Sequence, residues 1–255
     1  MKQTPAAAAA ELKISFAGAE AGAASDALGL RREEGRPRVI HFWDRPVRAA
    51  GAEVSLPLLD RGLILRLRRD ADEGPDSKRK ADLTVKLRPC PPLPGDWQED
   101  REEEHWEFRV EEDRAGPAFT PVLSASLEAA RKFGDALDAE GGDLEDLLVE
   151  AQRELLEAAG AEGEDLGALT VLGPVHAVKW KQDWDGLPGS VAIEEWTTRG
   201  GLRFLEVSVR TDLGDAAAAQ DLLAAGLKER GLVPPATGET KTRAVLAALA
   251  RSLPV

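Results

Sequence analysis

Side chains alternate across an extended strand with period 2, so a half-buried strand reads apolar on one face and polar on the other. Several segments of this chain keep that period but place ions on the second face. In Gly62-Leu63-Ile64-Leu65-Arg66-Leu67-Arg68 the residues Leu63, Leu65 and Leu67 point one way, Arg66 and Arg68 the other. Lys86 and Arg88 share a face in the segment after Leu83, and Phe204-Leu205-Glu206-Val207-Ser208 sets Glu206 between apolar neighbours. Burying unpaired charge is prohibitively costly. A sheet built from such strands therefore needs water, a polyanion, a metal, or both of the last two against its ionic face.

The same period recurs along the chain. Residues 9–16 put Glu11 and Lys13 opposite Leu12, Ile14 and Phe16, and residues 105–112 put His105, Glu107, Arg109 and Glu111 opposite Trp106, Phe108 and Val110. Further strands are expected at 39–43, 60–69, 81–88, 175–183, 190–197 and 202–210, with a hairpin loop around Gly74-Pro75. Residues 20–32 read as a weak helix or loop. Helices are expected over Leu123–Leu137, after a cap at Asp143, over Asp215–Arg230 and over Thr240–Ser252. About five strands, two helices, three strands and two helices give an α+β class, with a largely antiparallel sheet or closed barrel and helices packed outside. We expect one domain over 1–255, with a helical insertion at about 122–160 and two C-terminal helices at about 215–252.

With 255 residues and 31% charged side chains, the chain has ordinary globular composition. Its net charge of −13 argues against a nucleic-acid polymer as partner, since that needs broad basic surface. The single Cys90, between Pro89 and Pro91, excludes a disulfide framework and fits a reducing cytoplasm. The N-terminal residues lack a basic region followed by a long apolar one, and no run reaches 18 apolar residues, so neither a signal peptide nor a membrane span is expected. The abundance of Ala, Gly, Arg and Glu fits a GC-rich bacterial coding bias. Oligomeric state stays open, a homodimer included. The acidic run 99–104 reads as a solvated loop. Trp97, in the proline-rich loop, reads as packing or as a cover for a mouth.

If the strands close into a barrel, the ionic faces converge on one lumen. Arg66, Arg68, Lys86, Arg88, Arg109, Lys179 and Lys181 would then chelate phosphate oxygens, arginine in bidentate fashion. Glu11, Glu107, Glu194 and Glu206 could hold Mg2+ or Mn2+, hard cations that take oxygen ligands. Lys13 could orient a water or act as general base if the lumen lowers its pKa, or could simply pair with Glu11 or Glu206. The alternative is an open sheet whose ions face solvent. The apolar residues opposite the ions favour the barrel, because outer helices would then cover the second face.

At these residues the chain resembles the CYTH superfamily, the triphosphate tunnel metalloenzymes. The resemblance is carried in order by Ala9-x-Glu11-x-Lys13, Phe42-Trp43-Asp44-Arg45-Pro46, Gly62 to Arg68, and Thr84-x-Lys86. It continues through His105-x-Glu107, Lys179-x-Lys181, Glu194, Glu206-x-Ser208 and the stretch Glu239-Thr-Lys-Thr-Arg-Ala-Val-Leu. It implies an eight-stranded antiparallel tunnel that binds a triphosphate compound and a divalent metal. The activities it implies are hydrolysis of inorganic or thiamine triphosphate, RNA 5′-triphosphate removal, or adenylate cyclisation.

The chain departs from the pattern at Ala9 and Ser208, where the signature has glutamates, and at His105, where arginine is usual. Glu11, Glu107, Glu194 and Glu206 remain, with Glu111 nearby. Three functions are expected to compete. The first is a metal-dependent hydrolase of a triphosphate-bearing small molecule, with Lys13 and Glu107 catalytic. The second is a catalytically weakened module that binds polyphosphate or nucleotide. The third is an adenylate cyclase, which would need a base-reading pocket that no motif here supplies.

Overall fold

A computed structural model describes residues 2–48, 53–71, 80–116, 118, 120–132, 135–136, 144–161, 165–235 and 241–253. The hairpin loop expected around Gly74-Pro75, the cap expected at Asp143, and Glu239 and Thr240 of the terminal motif lie outside the described residues. The strands are β1 (Ala9–Ala17), β2 (Arg36–Asp44), β3 (Leu63–Asp70), β4 (Ala81–Leu87), β5 (Arg101–Glu102), β6 (Trp106–Ala115), β7 (Thr120–Arg131), β8 (Thr170–Gln182), β9 (Val191–Thr198) and β10 (Arg203–Asp212). The α-helices are α1 (Gly18–Ala27), α2 (Pro57–Asp60), α3 (Glu150–Ala158), α4 (Ala216–Glu229) and α5 (Lys241–Ser252).

Nine strands form a closed barrel in the order β1-β10-β9-β8-β2-β3-β4-β7-β6, and β6 returns to β1. The expected count of eight is corrected to nine. Strand direction cannot alternate fully around an odd ring, so one seam must be parallel. That seam is β1–β6, with Glu11 opposite Asp113, and the other neighbouring pairs are antiparallel. The extra strand is β7, where the sequence predicts a helix over Leu123–Leu137. Ala, Leu and Glu favour a helix locally, but ladders to β4 on one side and β6 on the other override that preference. The two-residue β5 covers the stretch of β6 before its pairing with β1 begins, and the Asp100 carboxylate accepts the Val110 N–H at 2.8 Å just beyond it.

Three apolar clusters hold the barrel. One lies outside β3, β4, β6 and β7, where Leu65, Leu67, Val85, Phe108 and Leu127 pack with Leu155 and Leu156 of α3. A second lies outside β1, β8, β9 and β10, where Leu12, Ile14, Ile193 and Val207 meet α1 and Leu223 and Leu227 of α4. The third lies inside. Ile40 and Phe42 sit opposite Arg68 and Arg66 across the β2–β3 ladder, and Trp196 sits opposite Phe204, all on the inner face. Val245, Leu246, Leu249 and Ala250 of α5 pack onto these residues. The expectation that all helices lie outside is thus corrected for α5, which plugs one end of the bore because its apolar stripe matches the apolar inner residues there.

Two local features fix this end. Asp44, fully buried at the end of β2, accepts the backbone N–H groups of Leu58 and Leu59 at 3.0 Å and so caps α2. Gly62 enters β3 at φ +83°, and a Cβ there would lie 2.7 Å from the Arg88 carbonyl oxygen. Only glycine fits both demands. Trp97 is buried in the first outer cluster, 5.0 Å from the Phe108 ring, and does not cover a mouth. Among the described residues, no helix is long and apolar enough to cross a membrane.

Candidate functional site

The polar part of the bore is a cavity of about 320 Å³. Lys13 of β1, Arg66 and Arg68 of β3, Lys86 of β4, Arg88 just after it and Lys179 of β8 line it, with Lys241 and Arg243 from α5. The carboxylates on its wall are Glu11, Glu111, Asp113, Glu128, Glu194 and Glu206. Eight cations and six carboxylates therefore meet in one cavity of a chain whose net charge is −13.

The ions fall into three groups. At the parallel seam, Asp113 accepts from Lys13 at 3.0 Å, Lys86 at 2.8 Å and Arg88 at 3.0 Å, with its carboxylate almost fully buried. Burial opposes that charge, but Lys13 and Lys86 outweigh it and hold the Asp113 carboxyl well below the usual range. Lys13 also lies 2.5 Å from Glu11. Burial works against its ammonium, yet Asp113, Glu11 and Glu206 outweigh burial and raise Lys13 above the ordinary lysine range. That direction runs opposite to the lowering that a general base needs. The pairing with Glu11 expected as the alternative is what the geometry contains.

In the second group, Glu194 and Glu206 face each other across the β9–β10 ladder. Lys241 reaches between them from α5, 3.3 Å from Glu194 and 3.0 Å from Glu206, with its ammonium 3.9 Å from the centre of the Trp196 ring. The Trp196 indole donates to Glu194 at 2.8 Å, and Ser15 donates to Glu206 at 3.0 Å. Burial pushes Glu194 up, but Lys241, Arg68 and Arg66 outweigh it and pull it down to about 2. Glu206 is lowered too, since Lys241 and Lys13 offset its burial.

The third group is the arginine wall. Arg68 donates to Asp82 at 3.0 Å and to Glu128 at 3.1 Å. Arg66 donates to Thr84 at 3.2 Å, and its buried Nε has no hydrogen-bond partner among the described residues. Lys179, opposite Glu194 on the neighbouring strand, is lowered by burial, which Glu194 only partly offsets. Among the described residues Lys179 has no ion-pair partner.

Three expected site residues lie elsewhere. Glu107 is about half exposed and lines, with Asp82, Glu102 and Glu103, a second, shallower pocket. Arg109 turns the same way and donates to Glu102 at 2.8 Å and Glu107 at 3.1 Å. Both precede the point where β1 pairs with β6, so they stand beyond the closed part of the bore. The inward position four residues on, about 13 Å along a strand, is Glu111. Lys181 is exposed at the same end.

Sequence reasoning missed Asp113, Glu128, Lys241 and Arg243 as cavity residues. Asp113 continues the period of Glu107, Arg109 and Glu111, so extending that strand by two residues finds it. Glu128 was hidden by the expected helix.

A divalent ion is implied by the resemblance, and the donors here do not fit one. Among the described residues no three His, Cys, Asp or Glu side chains gather as a metal site. Glu11 is held by Lys13, and Glu194 and Glu206 by Lys241.

No protein-family model matches the chain, and a search of curated proteins finds no match. Solved structures do. A candidate adenylate cyclase from Bacillus halodurans matches with TM-score 0.56 and 12% identity, over 93% of this chain and 98% of that one. A candidate adenylyl cyclase from Hippeastrum, described as revealing a dominant triphosphatase activity, matches with TM-score 0.52 and 19% identity, over 93% and 95%. These matches show a shared fold: the chain has the closed-barrel architecture of both solved structures.

Proposed function

We propose that the bore binds a triphosphate-bearing small molecule. The observation that carries this reading is the concentration of eight cations in one cavity of an acidic chain. Phosphate oxygens accept several charge-assisted hydrogen bonds at once, and guanidinium groups match them in pairs. Arg66, with an unpartnered buried Nε, and Lys179, without an ion pair among the described residues, are the groups with donors to spare. About 320 Å³ is at the small end of the range for ligand pockets, which suits a compact anion.

Calorimetry with inorganic tripolyphosphate tests the reading. We expect binding, and Arg66→Ala should weaken it by about 2 kcal/mol, the worth of a hydrogen bond to a charged partner. Absence of binding, or an unchanged affinity in the variant, would count against this bore as the site.

A second reading, hydrolysis of the terminal phosphoanhydride, draws support from the triphosphatase activity described for the Hippeastrum protein of like fold. Here Lys13 would orient rather than deprotonate a water, because Asp113, Glu11 and Glu206 favour its charged form. Release of inorganic phosphate from tripolyphosphate, lost in Arg66→Ala, supports turnover. Tight binding without release leaves the bore as a binding module.

A further inference from the structure

We propose that the Lys241 ammonium is a built-in counter-ion that stands between Glu194 and Glu206 in place of a divalent metal, so that the bore takes up polyphosphate without one. The inference rests on the proposed triphosphate binding.

Glu194 and Glu206 are register partners on adjacent strands, and both carboxylates face inward. Two such groups repel unless a cation lies between them. Lys241 supplies it, at 3.3 and 3.0 Å, with only 5% of its side chain exposed. The other contacts of these carboxylates are directional too. Trp196 donates to the Glu194 oxygen that Lys241 also contacts, and Ser15 donates to the second oxygen of Glu206. A hard cation needs carboxylate oxygens at roughly 2.0–2.6 Å. To gain them it would have to expel Lys241 from its place against Trp196, and α5 is anchored in the bore through Val245, Leu246 and Leu249. The remaining inner carboxylates are also committed, Glu11 to Lys13, Asp113 to Lys13, Lys86 and Arg88, Glu111 to Arg210, and Glu128 to Arg68. The incoming phosphate charge would meet Arg66, Lys179 and the lysines directly.

Calorimetry of the full chain with tripolyphosphate, in EDTA and again in excess Mg2+, tests this. We expect tripolyphosphate to bind in EDTA at least as tightly as in excess Mg2+, where the ligand itself chelates the ion and loses negative charge. Titration with Mn2+ alone, read by electron paramagnetic resonance, should find weak binding to the native chain. Lys241→Met should bind Mn2+ at least about tenfold more tightly, since it frees two carboxylates. Lys241→Arg should behave like the native chain. Binding of tripolyphosphate only when metal is present would overturn the inference and leave the proposed function standing. Tight Mn2+ binding by the native chain would also overturn it. Failure to bind tripolyphosphate in either buffer would overturn the proposed function itself. The comparison in the two buffers needs no variant, so it stands even if Lys241→Met does not fold.

Discussion

Asp113 is the residue on which the most charge depends. Three cations meet its buried carboxylate within 3.0 Å, and each of them lines the cavity. Neutralising it should leave Lys13, Lys86 and Arg88 facing one another. Removing one member of a dry ion network costs roughly 3–5 kcal/mol, and solvent in the bore should reduce that to about 2 kcal/mol for Asp113→Asn. The loss should shrink when tripolyphosphate is present, because the ligand would restore the missing negative charge. Urea unfolding of both chains with and without tripolyphosphate measures this; an equal loss in both conditions would show that the three cations do not face the ligand. The sequence made the cations on this wall legible, because they alternate with leucines over a full strand. Asp113 was not legible as their partner, since it lies on a strand 100 residues from Lys13 and the pairing depends on the parallel seam.

Among the elements, β7 and α5 decide the shape of the bore, and each differs from its expectation for a different reason. Ser-Ala-Ser-Leu-Glu-Ala-Ala contains strong helix formers and small residues, so its period-2 burial of Ala125, Leu127 and Ala129 carries little hydrophobic contrast. The ladders on both sides settle it. The helical character of α5 was legible, with Val245, Leu246 and Leu249 on one face, but the surface that this face meets was not. That surface, Phe42, Trp196 and Phe204, is the apolar end of an otherwise ionic inner face. Leu246→Ala should therefore cost about 2–5 kcal/mol, as a buried Leu in a packed core does. It should also weaken tripolyphosphate binding, because Lys241 opens the same helix, five residues earlier. Thermal unfolding and calorimetry together check both effects. A variant of lowered stability whose binding is untouched would mean that Lys241 holds its position without the plug.

For the whole molecule, the balance of buried charges sets how the fold responds to acid. Glu194 is pulled down to about 2 from an ordinary value of 4.5, and Asp113 and Glu206 are also lowered. A carboxyl whose folded pKa lies below its unfolded one contributes stability that is full above the unfolded value. That stability is lost as pH falls through the folded one. Asp82 and Glu111 run the other way, because burial raises both. Acidification through their range, above the ordinary carboxylate values, favours the folded state before that loss begins. The barrel should thus hold or gain stability down to about pH 4.5, then lose it steeply toward about pH 2. The part owed to Glu194 alone is on the order of 3 kcal/mol. Glu194→Gln should start less stable at neutral pH, since Lys241 keeps only Glu206, and should show a shallower slope between pH 4.5 and 2. Urea unfolding across that range, with both chains compared, measures the slopes. Parallel slopes would mean that Glu194 is not held as an ion inside the folded bore, and the account of Lys241 as its counter-ion would fall with it.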